Sequence, residues 1–160
     1  MERIEGLIPE SPLADRMRPR TMDEFAGQQH LLAPGAPLRV LLEGSRVPSC
    51  ILYGPPGVGK TTLVRLMASV TERSLLEINA VTAKVAELRD LVEEAKRLKS
   101  MAGGLTAIAF VDELYHFNRS QQNVLLPSVE RGDIILVGTT TENPWIEINK
   151  TLLSRMVIFE

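Results

Sequence analysis

Residues 54–61, GPPGVGKT, are the most informative segment of this 160-residue chain. It fills every position of the pattern GxxxxGK[ST], in which glycines let the backbone wrap a phosphate and the lysine reaches the terminal phosphates. The apolar residues Cys50–Tyr53 precede it, and a helical pattern follows it, which is the context that this motif requires. We therefore predict a P-loop that binds the phosphates of a nucleotide, rather than a glycine-rich turn that matches by chance.

Each residue type in this loop has a predicted task. The candidate cofactor-binding residues are Gly54, Pro55, Pro56, Gly57, Val58, Gly59, Lys60, Thr61 and Thr62. Lys60 would place its charge between the β- and γ-phosphates, which also makes it a catalytic candidate, and the Thr61 hydroxyl would ligate Mg²⁺. The N-terminus of the following helix adds its positive dipole end.

Four further short apolar segments of the chain have the pattern of buried strands. They are Leu75–Ile78, Ala107–Val111, Ile134–Val137 and Val157–Phe159. Between the first two of these, apolar residues recur at helical spacing from Val81 to Leu98. Continuously apolar strands that alternate with helices predict an α/β fold with a parallel sheet covered on both faces.

An acidic pair, Asp112 and Glu113, ends the third of the five apolar segments. The carboxyl edge of a parallel sheet is where open α/β folds bind their ligands, so the pair is expected beside the P-loop. There Asp112 would hold Mg²⁺, usually through water, and Glu113 would orient or deprotonate the attacking water. The competing interpretation is an acidic surface turn after a core strand.

Two other classes of nucleotide-binding protein fit the sequence poorly. A GTPase needs an N-K-x-D guanine reader, and Asn149-Lys150 begins that string without the Asp. A small metabolite kinase usually has an arginine-rich lid between its later strands, and none is evident.

Composition sets further bounds. With 18 basic and 20 acidic residues the net charge is −2, so the chain lacks the basic footprint of an autonomous nucleic-acid binder, and any DNA contact would be local or shared among subunits. The single cysteine, Cys50, excludes an internal disulfide and is interpreted as a small buried hydrophobe. No apolar run approaches the ~20 residues that span a bilayer, so a cytoplasmic protein without a membrane partner is expected.

The chain resembles the AAA+ ATPases, and within them the RarA/MgsA group (replication-associated recombination protein A and the Werner-helicase-interacting protein). The resemblance runs from about residue 12 to residue 160. It is carried by PLADRMRP at 12–19, FAGQ at 25–28, the P-loop, FNRSQQ at 117–122, GTTTENP at 138–144 and LLSR at 152–155. The FN-x-x-QQ and TTENP strings are quite specific to this group.

The resemblance implies a P-loop NTPase of AAA+ type whose five-stranded parallel sheet has the order 5-1-4-3-2 between helices. Residues 1–20 would be an N-terminal arm that contributes to the adenine site, and 21–160 would be the ATPase core. The residues implied to contact adenine and ribose are Leu13, Ala14, Met17, Arg18, Pro19 and Gln28. The chain is interpreted as the N-terminal core of a longer protein, because the helical lid and the oligomerisation region of the family are expected beyond residue 160.

Further roles follow from the resemblance alone. Thr141 is similar to the sensor 1 residue that hydrogen-bonds the γ-phosphate or the attacking water, and Asn143 is a second candidate. Asn79 corresponds to a polar switch that holds Glu113 away from water. Arg155 resembles the arginine finger that completes the ATP site of a neighbouring subunit, although a surface arginine that complements a helix dipole is the competing interpretation. With a finger acting in trans, the isolated chain is expected to hydrolyse ATP slowly.

The chain departs from the group after its acidic pair. The group reads Ile-His-Arg-Phe-Asn there, whereas this chain has Leu-Tyr-His-Phe-Asn at residues 114–118. His116 therefore puts a titratable side chain where the family has a permanently charged arginine. The role of that arginine is not carried over to His116.

The resemblance implies an ATPase that acts on single-stranded, gapped or forked DNA in replication and recombination. It implies a homo-oligomer in the full-length protein, at the bacterial nucleoid, with single-stranded-DNA-binding protein and replisome components as partners. The alternative is an ATP-binding switch or scaffold subunit of clamp-loader type with little turnover. A DNA-independent protein remodeller shares the same site chemistry and stays open.

Overall fold

The computed structural model describes residues 21–22, 29–56, 59–101 and 103–160. Within these ranges, strands and helices alternate as the apolar pattern predicts. The strands are β1 (Cys50–Tyr53), β2 (Leu75–Asn79), β3 (Ile108–Asp112), β4 (Ile135–Thr140) and β5 (Val157–Phe159). The helices are α1 (Gln29–Leu32), α2 (Pro37–Glu43), α3 (Lys60–Val70), α4 (Val85–Ser100), α5 (Arg119–Arg131), α6 (Pro144–Glu147) and α7 (Lys150–Leu153), and a 3₁₀ turn spans Leu114–His116.

The five strands form one sheet in the order β2-β3-β4-β1-β5, and every pairing is parallel. Read from the other edge, this is the predicted order 5-1-4-3-2, so the fold prediction is confirmed. β4 lies between β3 and β1 and pairs with both. Because parallel strands end at the same edge, the residues that follow β1, β3 and β4 converge there.

The strand boundaries differ from prediction mainly at β4. That strand was expected at Ile134–Val137, but it runs over Ile135–Thr140. Thr139 and Thr140 are polar, yet each is only 1% exposed. Thr139 and Thr140 are the register partners of Leu52 and Tyr53 in β1, and β-branched threonine suits a pleated strand, so the sheet continues past the apolar run. β3 likewise extends to Asp112.

The sheet is buried on both faces, as its apolar strands predict. Alternate residues of β1 separate into two clusters, with Cys50 and Leu52 in one and Ile51 in the other. The first cluster includes residues of α2 and α3, such as Leu42 and Met67, and the second includes residues of α4, α5 and α7. Helices therefore cover both sides and leave the carboxyl edge of the strands for a ligand.

Helix α5 begins with a capping box and a buried glutamine. The Asn118 side chain accepts a hydrogen bond from the backbone N–H of Gln121, whose side chain in turn accepts from the Asn118 N–H. Gln122 is buried, and its side-chain amide donates to the carbonyls of Phe117 at 3.0 Å and Glu147 at 3.4 Å. Its side-chain oxygen accepts from the Asn149 N–H at 2.7 Å. The FN-x-x-QQ string thus has a structural basis.

The buried strand β1 determines the chemistry of the single cysteine. Cys50 has no exposed surface, and burial raises the pKa of its thiol to about 12. The thiol therefore stays protonated near neutral pH, as expected of a small buried hydrophobe. Among the residues described, none of the helices combines the length and the apolar character that a membrane crossing requires.

Candidate functional site

The P-loop follows β1 and leads directly into α3. The Gly54 N–H donates to the Thr140 carbonyl at 3.1 Å, which ties the start of the loop to the end of β4. Gly59 has a φ of 87°, a left-handed conformation that a residue without a side chain adopts readily, and it is the N-cap of α3. Gly57 and Val58 lie outside the described residues. The N-terminus of an eleven-residue helix therefore faces the space in front of the loop.

Lys60, the first residue of α3, bends back over the loop. Its ammonium donates to the carbonyl of Gly54 and, at 3.2 Å, to that of Pro55. Partial burial lowers the pKa of Lys60, while the carboxylates of Asp112 and Glu113 oppose that shift. An anionic phosphate at this position would replace two neutral acceptors by charged ones, which form stronger hydrogen bonds.

Asp112 is the last residue of β3, and Glu113 follows it. In the sheet, β4 lies between β3 and β1, the strand that precedes the P-loop. Asp112 Oδ1 accepts a hydrogen bond from the Thr139 hydroxyl at 2.6 Å, and the Glu113 N–H donates to the same hydroxyl at 3.1 Å. Glu113 has φ 53° and ψ 55°, a left-handed conformation that costs a residue with a side chain about 1 kcal/mol or more. The carboxylate of Glu113 lies 3.1 Å from the His116 imidazole.

A cleft of about 390 Å³ brings the two halves together. Its lining residues are Pro56, Gly59, Lys60, Thr61, Thr62, Asp112, Glu113, Thr139, Thr140 and Thr141. Six of the predicted site residues outside the glycine-rich turn, Lys60, Thr61, Thr62, Asp112, Glu113 and Thr141, therefore share one cavity. The arrangement puts an ammonium, hydroxyls and a helix N-terminus opposite two carboxylates.

Thr139 was not predicted to be a functional residue. Its register position could have indicated the role, because Val111 of β3 pairs with Gly138 of β4 and the next residues along the two strands are Asp112 and Thr139. That signal needs both the strand order and the extension of β4 beyond its apolar run, and neither follows from the residue pattern around Thr139.

Among the predicted residues outside the P-loop, Asn143, Asn79 and Arg155 do not line the cleft. Asn143 is the N-cap of α6, with its side chain accepting from the Trp145 N–H at 3.0 Å. The Asn79 side chain accepts from the Val81 N–H at 2.9 Å, although Asn79 is the register partner of Asp112. Arg155, 56% exposed in its side chain, lies 3.5 Å from Glu130. The predicted adenine contacts, Leu13, Ala14, Met17, Arg18, Pro19 and Gln28, fall outside the described residues.

The donors in this cleft fit a magnesium ion that is bound together with a nucleotide. Mg²⁺ prefers oxygen ligands and keeps several waters, and it is commonly held by one or two protein oxygens plus phosphates. The Thr61 hydroxyl and the Asp112 carboxylate both line the cleft and supply such oxygens. Among the residues described, no three His, Cys, Asp or Glu side chains gather as an all-protein metal site. The protein would therefore complete only part of the coordination shell.

Comparison with known proteins identifies relatives of this chain. The sequence profile of the ATPase family associated with various cellular activities (AAA) matches residues 50–160. Replication-associated recombination protein A of Escherichia coli K12 is 46% identical over 148 residues, which are 92% of this chain and 33% of that protein. The ATPase WRNIP1 of Dictyostelium discoideum is 41% identical over 150 residues, 94% of this chain and 17% of that protein.

A solved structure shows the same fold. The RuvB Holliday junction branch migration motor of Thermotoga maritima superposes with a TM-score of 0.68 at 26% identity, over 90% of this chain and 49% of that one. The chain spans about a third of the length of the bacterial relatives that it matches.

Proposed function

Because this chain belongs to the AAA family of ATPases, we propose that it hydrolyses ATP with Mg²⁺ in the cleft between the P-loop and the acidic pair. The observation that carries the proposal is the meeting of Lys60 and Thr61 with Asp112 and Glu113 in one cavity. Lys60 and the N-terminus of α3 bind the phosphates. Thr61 and Asp112 hold the metal, which neutralises phosphate charge when it is bound.

Glu113 is proposed as the group that orients or deprotonates the attacking water. Its side chain is 44% exposed and its left-handed backbone separates its direction from that of the neighbouring Asp112, so the two carboxylates can take different tasks. Thr141 lines the same cleft and is proposed as the residue that senses the γ-phosphate. Asn143, as a helix cap, supports that role less well.

The base of the nucleotide is proposed to lie beside the P-loop, on the side of α1. Leu31, Leu63 and Phe159 line a small apolar depression of about 20 Å³ there, together with Lys60, so it could form only the floor of a base site. Leu31 closely follows Gln28, one of the predicted adenine contacts, which supports an adenine site formed by this part of the chain.

Arg155 is proposed to act on the ATP site of a neighbouring subunit in a homo-oligomer. Its guanidinium is exposed and does not line the cleft of its own chain, which is what a trans-acting group requires. Such fingers contribute roughly 10³–10⁵ in rate, or about 4–7 kcal/mol of transition-state stabilisation. A single subunit then binds ATP well and hydrolyses it slowly.

The test is a titration of ATPase activity against protein concentration. Specific activity should rise as subunits associate, and Arg155→Ala should remove that rise while nucleotide binding persists. Arg131→Ala is the matched control, because Arg131 is also an exposed arginine paired with a carboxylate, at 3.0 Å to Asp133. Activity that is independent of concentration, or equal losses in both variants, would contradict a finger at Arg155.

DNA is proposed as the partner because relatives such as replication-associated recombination protein A are named for replication and recombination. Single-stranded or gapped DNA should stimulate the ATPase, with a response that weakens as salt increases. Tight ATP binding without turnover, with or without DNA, would instead indicate a clamp-loader-type switch. Stimulation by protein alone would indicate a remodeller. We place the protein in the cytoplasm at the nucleoid, with single-stranded-DNA-binding protein and replisome components as candidate partners.

A further inference from the structure

Thr139 makes contacts that the P-loop motif does not explain. We propose that its hydroxyl is a positioning group for the acidic pair, holding Asp112 in the orientation that couples magnesium to nucleotide binding. The inference rests on the proposed ATPase function and adds a residue to it. Thr139 would not touch the phosphates itself, because its hydroxyl is engaged by Asp112 and Glu113.

The hydrogen-bond directions are fixed by what each partner can do. The Glu113 N–H can only donate, so the Thr139 oxygen must accept from it. The Thr139 hydroxyl proton is then free to point at Asp112 Oδ1, 2.6 Å away, where it meets a charged acceptor. With Oδ1 held in this way, the exposed side of the Asp112 carboxylate is turned to the cleft. Thr139 is 1% exposed, so water has little access to its hydroxyl.

A second contact from β4 holds the same segment. A Cβ atom added at Gly138 would lie 2.8 Å from Leu114 Cδ2 and 3.2 Å from Leu114 Cβ. The 3₁₀ turn that follows Glu113 thus packs directly against the bare backbone of Gly138. Two consecutive residues of β4 therefore hold residues 112–114, one by hydrogen bonds and one by close packing. Together they hold Glu113 in its left-handed conformation.

The decisive measurement is nucleotide affinity with and without magnesium, made by equilibrium binding of a fluorescent ADP analogue to the full-length protein. Removing a residue that hydrogen-bonds a metal ligand typically lowers metal affinity or activity by about 10–100-fold. In Thr139→Val, which keeps the branched shape and loses the hydroxyl, the magnesium concentration for half-maximal tight binding should rise by about ten-fold or more. Affinity measured in excess EDTA should stay within about two-fold of wild type.

Two further variants separate the hydroxyl from general structure. Thr139→Ser keeps the hydroxyl and should restore most of the magnesium dependence and of kcat. Thr71→Val removes another buried threonine hydroxyl, at the far end of α3, where it bonds the Met67 carbonyl at 2.7 Å. It should lower thermal stability without changing the magnesium dependence.

Each outcome bears on one claim. Wild-type protein that binds no nucleotide contradicts the proposed function, whereas normal wild-type binding with an unchanged Thr139→Val contradicts only this inference. Equal defects in Thr139→Val and Thr139→Ser would also contradict it, since the shape rather than the hydroxyl would then matter. If Thr139→Val does not fold, Thr139→Ala and Thr139→Ser make the same comparison, with the same readings.

Discussion

The two halves of the cleft are built in different ways. The phosphate-binding half is a continuous piece of chain, in which Lys60 contacts carbonyls only five and six residues away. The acidic half joins two strands, because Thr139 contacts residues 26 and 27 positions before it. Lys60 lies at the partly exposed start of α3, and a phosphate can replace its hydrogen bonds to the loop carbonyls. Thr139, in contrast, is buried. One half is arranged to exchange partners on binding, and the other is held in place beforehand, as electrostatic catalysis requires.

The largest expected effect separates the halves at Lys60. Lys60→Ala removes the ammonium over the loop, so nucleotide binding at millimolar concentrations and all turnover should be lost. Isothermal titration with ATP and magnesium measures this. Lys84→Ala is the control, because Lys84 is an exposed lysine at the N-cap of α4, away from the cleft. Tight ATP binding retained in Lys60→Ala would show that the phosphate site is misplaced.

Next in size is the expected effect at Glu113. Glu113→Gln keeps the shape and removes the base, so kcat should fall by about 10²–10⁴ while ATP affinity changes little. Single-turnover hydrolysis measured beside equilibrium binding would establish the split. Glu147→Gln, at an exposed glutamate of α6, should leave both unchanged. Equal loss of binding and turnover at Glu113 would remove the distinction between the two halves.

A smaller effect is expected in the contact beneath the acidic pair. Gly138→Ala forces a methyl group against Leu114 and should lower the free energy of unfolding by roughly 1–3 kcal/mol. Urea denaturation of Gly138→Ala, Leu114→Ala and the double variant tests the contact as a cycle. The double variant should lose less stability than the two single losses add up to, because truncated Leu114 makes room for the methyl group. Additive losses would contradict the close approach.

The smallest effect at neutral pH concerns the strand that supports both halves. Burial raises the pKa of Cys50 to about 12 from 9.0, so above pH 9 the unfolded chain loses this proton before the folded one. The folded state then binds more protons, and its stability falls as pH rises from 9 to 12, by on the order of 1 kcal/mol for each pH unit. Cys50→Ala should lack this part of the alkaline loss. Identical slopes of unfolding free energy against pH in both proteins would contradict the burial.

The sequence predicted the contiguous features far better than the assembled ones. The bounds of β1 and β5 were predicted correctly. The P-loop and the acidic pair could be recognised in the sequence, because each of these features depends on residues that are neighbours in the chain. The strand order came from family resemblance, since periodicity carries no information on which strands pair. The extension of β4 and the bonds of Thr139 were not predictable from a polar string such as TTT, because register across strands creates them.

Some expected roles stay predictions for a related physical reason. Asn79 was expected to hold Glu113, yet the described contact of the Glu113 carboxylate is with His116, three residues further along the same chain. Short-range contacts of this kind depend on how a turn folds, and the left-handed Glu113 sets that turn. The roles of Thr141, Asn143 and Arg155 depend on a nucleotide or a second subunit, so the fold of a single chain cannot test them.

The buried amide of Gln122 has a mechanical consequence. It joins the Phe117 carbonyl, which precedes α5, to the Asn149 N–H in the turn between α6 and α7. Arg155 comes two residues after α7, and its guanidinium also pairs with Glu130 near the end of α5. A shift of the turn that follows Glu113 would therefore act, through the hydrogen bonds of Gln122, on the segment that leads to Arg155.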